Sequence, residues 1–271
     1  MSTAKPVLVG VPFDGASSFL KGPAAAPEAV RRALHCGSAN YTTERGVELD
    51  PVVDVWTDAG DVSVPSGPAE AFDAIRSAAT ELGADAPIVA VGGDHFITWP
   101  LVSALADRHA NLTIVHVDAH PDLYDALDGE RLSHATPFAR IMEEGLATRL
   151  LQFGIRTMNT HQQEQVDRFG VEVFTAAGWD GTSPVLKGDV YITIDVDGLD
   201  PAHAPGVSHH EPGGLTSRQV IGLIHQVKDM QSVRVVGADV VEINPSRDIH
   251  DMTAMLGAKL VKELLGTIVG A

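Results

Sequence analysis

The chain has 271 residues, 44% of them hydrophobic, enough to bury one large core, and nothing in its composition calls for a second domain. Its formal net charge of −17 argues against nucleic acid or an anionic membrane as partner and suits a cationic substrate or metal ions. The single cysteine, Cys36, excludes an intramolecular disulfide and points to a reducing compartment, its thiol reading as a small buried side chain.

In chain order, residues 7–11 read as a first buried strand, followed by a Gly/Pro/Ala-rich loop over 17–27 and a helix opened by Pro27-Glu28 and running to Ala33. Residues 37–50 are irregular, 52–55 a short strand, and 68–82 an Ala-rich helix stopped by Gly83. A strand at 88–91 breaks at Gly92-Gly93, then come a helix over 100–109 and a strand over 112–117. The alternation continues with helices at 136–144 and 160–169 and strands at 150–154, 171–174 and 190–194. Thr216 caps a helix to Val227, 233–238 is a strand, and a last helix runs from Asp251 to Ile268. Apolar strands without polar alternation, separated by helices, predict an α/β fold whose parallel sheet is covered on both faces. No repeat or linker divides the chain, so residues 1–271 form one domain. The short apolar run in MSTAKPVLVGVPF does not make a signal peptide, and no later stretch is long enough to span a bilayer; the cytoplasm is the expected compartment.

The chemistry sits where three of these strands end, in VAVGGDH, TIVHVDAHPD and YITIDVDGLDP. Each apolar run breaks abruptly into carboxylates and imidazoles: His95; Asp118, His120 and Asp122; Asp195 and Asp197. In an extended chain, residues i, i+2 and i+4 point the same way, so these spacings aim the groups at a common point. Ligands in open α/β sheets bind at carboxyl ends of strands. Carboxylates converging on a buried point repel one another and lose hydration, a conflict that a pair of divalent cations resolves. Four Asp and two His with no thiolate suit Mn²⁺, with Zn²⁺, Co²⁺, Ni²⁺ or Fe²⁺ as competitors. Two such ions lower the pKa of a shared water, which makes hydrolysis of an electrophilic carbon the expected reaction. Asp200-Pro201 reads as turn chemistry, His116 as packing within its strand, and His209-His210 as rim.

Together GGDH, DAHPD and DVDGLDPAHAPG resemble the motifs of the ureohydrolase family of arginases and agmatinases, and the likeness runs from Gly10 to about Leu265. SSFLKGPAAAPEAVRRAL, SHATPFARIMEEG, GVSHHEPGGLT and GADVVEINPSRD are especially similar to plant-type members. The resemblance implies a three-layer α/β/α arginase-like fold with a mainly parallel central sheet, assembled as homotrimers or homohexamers. It implies that His95, Asp118, Asp122 and Asp195 hold one Mn²⁺, that Asp118, His120, Asp195 and Asp197 hold the other, and that Asp118 and Asp195 bridge. Hydroxide between the ions would attack a guanidinium carbon, with Asp122 accepting its hydrogen bond and His134 helping to protonate the departing amine. Glu242 would pair with the guanidinium. The products would be urea and putrescine from agmatine, or urea and ornithine from L-arginine, with other guanidino compounds such as guanidinobutyrate as alternatives.

Two positions depart from the family pattern. Phe96 follows GGDH where Ser is usual, and could narrow the site or repack behind His95. Glu130 stands where plant-type arginases tend to carry Asn; if it lines the pocket it opposes a substrate carboxylate and favours the terminal ammonium of agmatine. A single-zinc deacetylase, or a metal-binding homologue without activity, are the competing classes.

Overall fold

The computed structural model describes residues 4–270 other than Ala39 and Asp85; Met1–Thr3, which belong to the N-terminal stretch considered above, and Ala39, within the irregular segment 37–50, lie outside the described residues. Eight parallel strands form one sheet: β1 (Val7–Val11), β2 (Thr57–Asp61), β3 (Ile88–Gly92), β4 (Thr113–Val117), β5 (Arg149–Ile155), β6 (Glu172–Thr175), β7 (Gly188–Asp195) and β8 (Val233–Val241). Their order across the sheet is β2-β1-β3-β8-β7-β4-β5-β6. The helices are α1 (Ala26–Leu34), α2 (Pro68–Leu82), α3 (Thr98–Ala106), α4 (Pro137–Glu143), α5 (Thr160–Phe169), α6 (Ser217–Asp229) and α7 (Met252–Val269).

Alternate residues of each inner strand feed two cores. Leu8, Val89, Val91, Val115, Val117, Ile192 and Val240 face α1, α6 and α7, while Val9, Val11, Ala90, Ile114 and Tyr191 face α2, α3, α4 and α5. This is why the strands read as unbroken apolar runs: every residue of β3 and β4 is buried on one side or the other. The connection through α3 leaves β3 on one face and the connection through α6 leaves β7 on the opposite face, so the chain parts above the carboxyl ends of β3, β8, β7 and β4. No helix among the described residues is long and apolar enough to cross a membrane.

The helices α2 and α5 have the bounds expected from sequence, and Thr216 caps α6 in a capping box with Gln219. The helix α3 begins before Pro100, because a proline in the first turn forfeits no intrahelical bond. One strand was misplaced. The apolar stretch 52–55 is not extended: Pro51–Val53 forms a 3₁₀ turn whose Val52 N–H donates to the Asp50 carboxylate at 3.0 Å. The strand is instead the polar TDAGD of β2, which can stay largely exposed because it lies at the sheet edge.

A candidate metal centre at four strand ends

Four adjacent strands deliver the site. His95 follows β3, Glu242 follows β8, Asp195 ends β7 with Asp197 just beyond, and Asp118, His120 and Asp122 follow β4. The extended-chain alternation does not do the aiming. Asp197 lies in a 3₁₀ turn, Val196–Gly198, begun by its own N–H donating to Asp195 Oδ1 at 2.8 Å, and Asp122 adopts a left-handed backbone at φ 49°. Glu242 is left-handed as well, at φ 64°. Such non-glycine conformations cost about 1 kcal/mol or more each and cluster where side-chain aim matters. Glycine is required at two approaches: a Cβ on Gly93 would lie 1.6 Å from the Phe13 carbonyl oxygen, and one on Gly198 2.8 Å from the Asp118 backbone.

The first donor group is His95, Asp118, Asp122 and Asp195, all buried. His95 Nδ1 lies 3.2 Å from Asp118 Oδ2, 3.0 Å from Asp122 Oδ2 and 3.2 Å from Asp195 Oδ2, yet none of these contacts is aligned as a hydrogen bond. The ring is oriented from behind: Thr193 Oγ1 donates to Asp239 at 2.6 Å, so it can accept from His95 Nε2 at 3.0 Å, which directs the Nδ1 lone pair at the carboxylates. Burial opposes a charge on His95, but the carboxylates of Asp118, Asp122 and Asp195 outweigh it and raise its proton affinity well above that of a free imidazole. Burial, then repulsion from Asp118, pushes Asp122 up to about 6. A buried nitrogen without a bonding partner, ringed by three carboxylate oxygens, fits a divalent cation.

The second group is Asp118, His120 and Asp197. His120 Nδ1 is 3.3 Å from both Asp118 Oδ1 and Asp197 Oδ2. Asp118 thus turns one oxygen to each group, the arrangement of a bridging carboxylate. Asp195 belongs to the first group only; its Oδ1 accepts from the Asp197 N–H.

His116 is bonded rather than merely packed. Its Nε2 donates to Asp118 Oδ2 at 2.9 Å while Gln152 Nε2 lies 3.0 Å from its Nδ1, and burial pushes it down to about 4, leaving a neutral donor. His134 and Glu242 are buried together, with His134 Nδ1 3.3 Å from Glu242 Oε1 and His134 Nε2 2.8 Å from Ser18 Oγ. Burial opposes protonation of His134, but Glu242 prevails and raises it to about 9. Glu242 Oε1 also accepts from the His95 backbone N–H at 3.0 Å, while its Oε2 is buried without a hydrogen-bond partner. The half-buried His209 stacks on His134, and the exposed His210 bonds the Pro205 carbonyl, as rim residues do. Asp200 accepts from the N–H groups of Ala202, Gly213 and Gly214, which is turn chemistry.

A cavity of about 160 Å³ opens onto the two groups; Ser18, His120, Asp122, Tyr124, His134, Asp195, Asp197 and His209 are among its walls. Glu130 is not brought to it. The backbone folds back through a Leu127–Glu130 bridge, and the exposed Glu130 carboxylate accepts from the Leu132 N–H, so the preference for agmatine drawn from Glu130 loses its basis. Phe96 does not narrow the cavity either: it is fully buried against Phe13 and Trp99.

Sequence reasoning missed Asp94, Arg156 and Ser18. Asp94 accepts from Ala16 N at 2.9 Å and Ser17 Oγ at 3.1 Å, tying the loop after β1 to the site. Arg156 donates to the carbonyls of Asp197, Gly198 and Glu211, holding the turn after β7. An arginine at a strand's carboxyl end was the available signal for Arg156; Ser18 left none.

The arginase-family profile matches residues 4–266. Arginase 1, mitochondrial, of Arabidopsis thaliana is 46% identical over 96% of this chain and 80% of its own length. An agmatinase of Bacillus cereus is 34% identical over 97% of this chain and 91% of its own. The solved arginase from Medicago truncatula superposes with a TM-score of 0.88 at 41% identity, covering 98% of this chain and 88% of that one. With the strand-end carboxylates, the all-parallel sheet and these matches in agreement, the chain belongs to the arginase family, whose arginases and agmatinases are ureohydrolases acting on guanidino C–N bonds.

Proposed function

We propose that the chain hydrolyses the guanidino group of a small guanidino compound to urea and an amine, using two divalent cations for which Mn²⁺ is the first candidate. The observation that carries this reading is the partnerless buried Nδ1 of His95 within its ring of carboxylates, beside a second donor group that shares Asp118. His95, Asp118, Asp122 and Asp195 would hold one ion; Asp118, His120 and Asp197 the other, with Asp195 as the second bridge of the family pattern. When bound, two such ions would lower the pKa of water and so would supply hydroxide near neutral pH.

The protein's own groups do the rest. Asp122, a wall of the cavity, accepts a hydrogen bond from the nucleophile and so orients it. His134, raised to about 9 chiefly by Glu242 against the cost of burial, is charged at neutral pH and gives its proton to the departing amine, with Ser18 Oγ in bonding reach of Nε2. Glu242 keeps Oε2 for a guanidinium N–H, since Oε1 is engaged by His95 N and His134. The names of the relatives make L-arginine and agmatine the first compounds to test. The cytoplasm remains our proposed compartment on the strength of Cys36, although the plant relative's name says mitochondrial, and a homotrimer or homohexamer our proposed assembly.

The test is urea release by Mn²⁺-reconstituted protein, with metal counted in the same sample. Two ions per chain and urea from at least one of L-arginine, agmatine and 4-guanidinobutyrate are expected. Two ions bound with no urea from any guanidino compound would sink the reading.

A further inference from the structure

A further group of ligating atoms stands beside the two donor groups already described. A ring nitrogen of His134, one of His209 and a carboxylate oxygen of Glu242 lie within 4.8 Å of one another, and both histidines are among the walls of the cavity. His134 Nδ1 and Glu242 Oε1, 3.3 Å apart, stand at the separation of two ligands on a tetrahedral zinc ion, roughly 3.3 Å for bonds of about 2 Å. On the other side of the ring, His134 Nε2 meets Ser18 Oγ at 2.8 Å, the kind of outer contact that fixes which imidazole nitrogen is offered to an ion. The His209 ring lies 5.1 Å from that of His134 and only 24° from parallel, so a nitrogen of each can face the same point. Burial lowers the proton affinity of His209, which leaves it a neutral ligand at neutral pH. Glu242 Oε2 is buried without a hydrogen-bond partner. The balance of charge agrees: the aspartates Asp118, Asp122, Asp195 and Asp197 match two divalent ions, and Glu242 is then answered only by the imidazoles of His134 and His209 and the His95 N–H.

We propose that His134, His209 and Glu242 form an inhibitory cation site, separate from the two donor groups, for a borderline divalent ion such as Zn²⁺. Two imidazoles and one carboxylate suit zinc better than Mn²⁺, which favours oxygen ligands. An ion bound there takes Glu242 away from the guanidinium and occupies the His134 nitrogen, whose proton leaves to solvent. As a block on hydrolysis the proposal rests on the reading above, because it removes the two groups assigned there to the guanidinium and the departing amine. As a binding site it stands on the donor geometry alone. Ion and substrate compete for Glu242, so the ion raises KM and a saturating substrate displaces it.

The experiment counts zinc first. Wild type, His209→Ala and Glu242→Gln, each with native circular dichroism, are loaded with Zn²⁺, dialysed against the same buffered free Zn²⁺ and compared by metal analysis. Glu242→Gln keeps an acceptor for the His95 N–H. Wild type should hold one more zinc per chain than either variant. Zinc on scattered surface histidines raises all the counts alike and cancels in the difference. Inhibition is then read on Mn²⁺-loaded protein, with retained Mn²⁺ counted in the same sample and each protein measured against its own zinc-free rate. Added Zn²⁺ should raise KM for urea release with kcat unchanged, and His209→Ala should need about tenfold more zinc or beyond for the same inhibition. Equal zinc counts in wild type and either variant overturn the proposal, as does equal zinc sensitivity of wild type and His209→Ala. If no guanidino compound yields urea, the hydrolase reading fails separately, and the difference in zinc counts alone upholds or removes the site.

Discussion

Two regions of this molecule bury carboxylates, and they differ in what answers the charge. On the outer helical layer Glu263, 2% exposed, accepts from the Glu44 N–H at 3.0 Å and pairs with His225 at 2.9 Å and with Lys259. Glu44 in turn meets Arg218 and Lys259, which hold its carboxyl at about 2. Each acid there has a permanent cation beside it. At the strand ends, the cationisable groups beside Asp118, Asp122, Asp195 and Asp197 are the imidazoles of His95, His116 and His120, backbone N–H groups supply further bonds, and no lysine or arginine pairs with them among the described residues. An acid cluster closed by lysine and arginine asks nothing of its surroundings; one closed only by imidazoles is poised for added positive charge.

That contrast can be broken most severely at the second donor group. His120→Asn should lower metal content and cut urea release by more than the roughly 100-fold that loss of an outer-shell partner costs, as read by metal analysis and steady-state rates. His134→Asn should cost about 100-fold in kcat with two ions still bound; a parallel loss of metal would assign His134 to the donor set instead. Chelation should lower the melting temperature by about 5 °C or more, because ions at a hundred times their Kd contribute about 2.7 kcal/mol. The smallest effects belong to the helical network. Glu263→Ala should cost about 2 kcal/mol in urea unfolding, through donors left unmet, and Arg218→Ala about 0.5 kcal/mol, both with unchanged kcat per bound metal. A catalytic defect in either would mean that the two regions are not independent.

The candidate metal-binding end of the site was legible because β3, β4 and all but the first two residues of β7 are buried, so the switch from apolar to acidic residues at their ends is abrupt. The residues that aim and line the site were not. His95 depends on Thr193 and Asp239, Asp118 on His116 and through it on Gln152, and the turn after β7 on Arg156; all but the His116–Asp118 bond join chain segments far apart in sequence, and a bonded His116 reads the same as a packed one. Glu130 was misjudged for a related reason: its loop turns through a two-ended backbone bridge, which composition does not reveal. The edge strand β2 failed the pattern because an exposed edge has no need of apolar residues, while the apolar 52–55 had been diverted into a turn.

The order of strands across the sheet has one more consequence. The final strand in sequence, β8, lies in the middle, between β3 and β7, and Glu242 stands at its end. Until that strand inserts, His95 on one side and Asp118 and Asp195 on the other belong to half-sheets with nothing between them. From the emergence of β4 until that of β8, a nascent chain therefore exposes two unpaired inner edges, and its first candidate ion site is complete only after residue 241 has emerged. Assembly of the candidate metal centre therefore waits on β8, and chaperone dependence should be concentrated in the interval before that strand emerges.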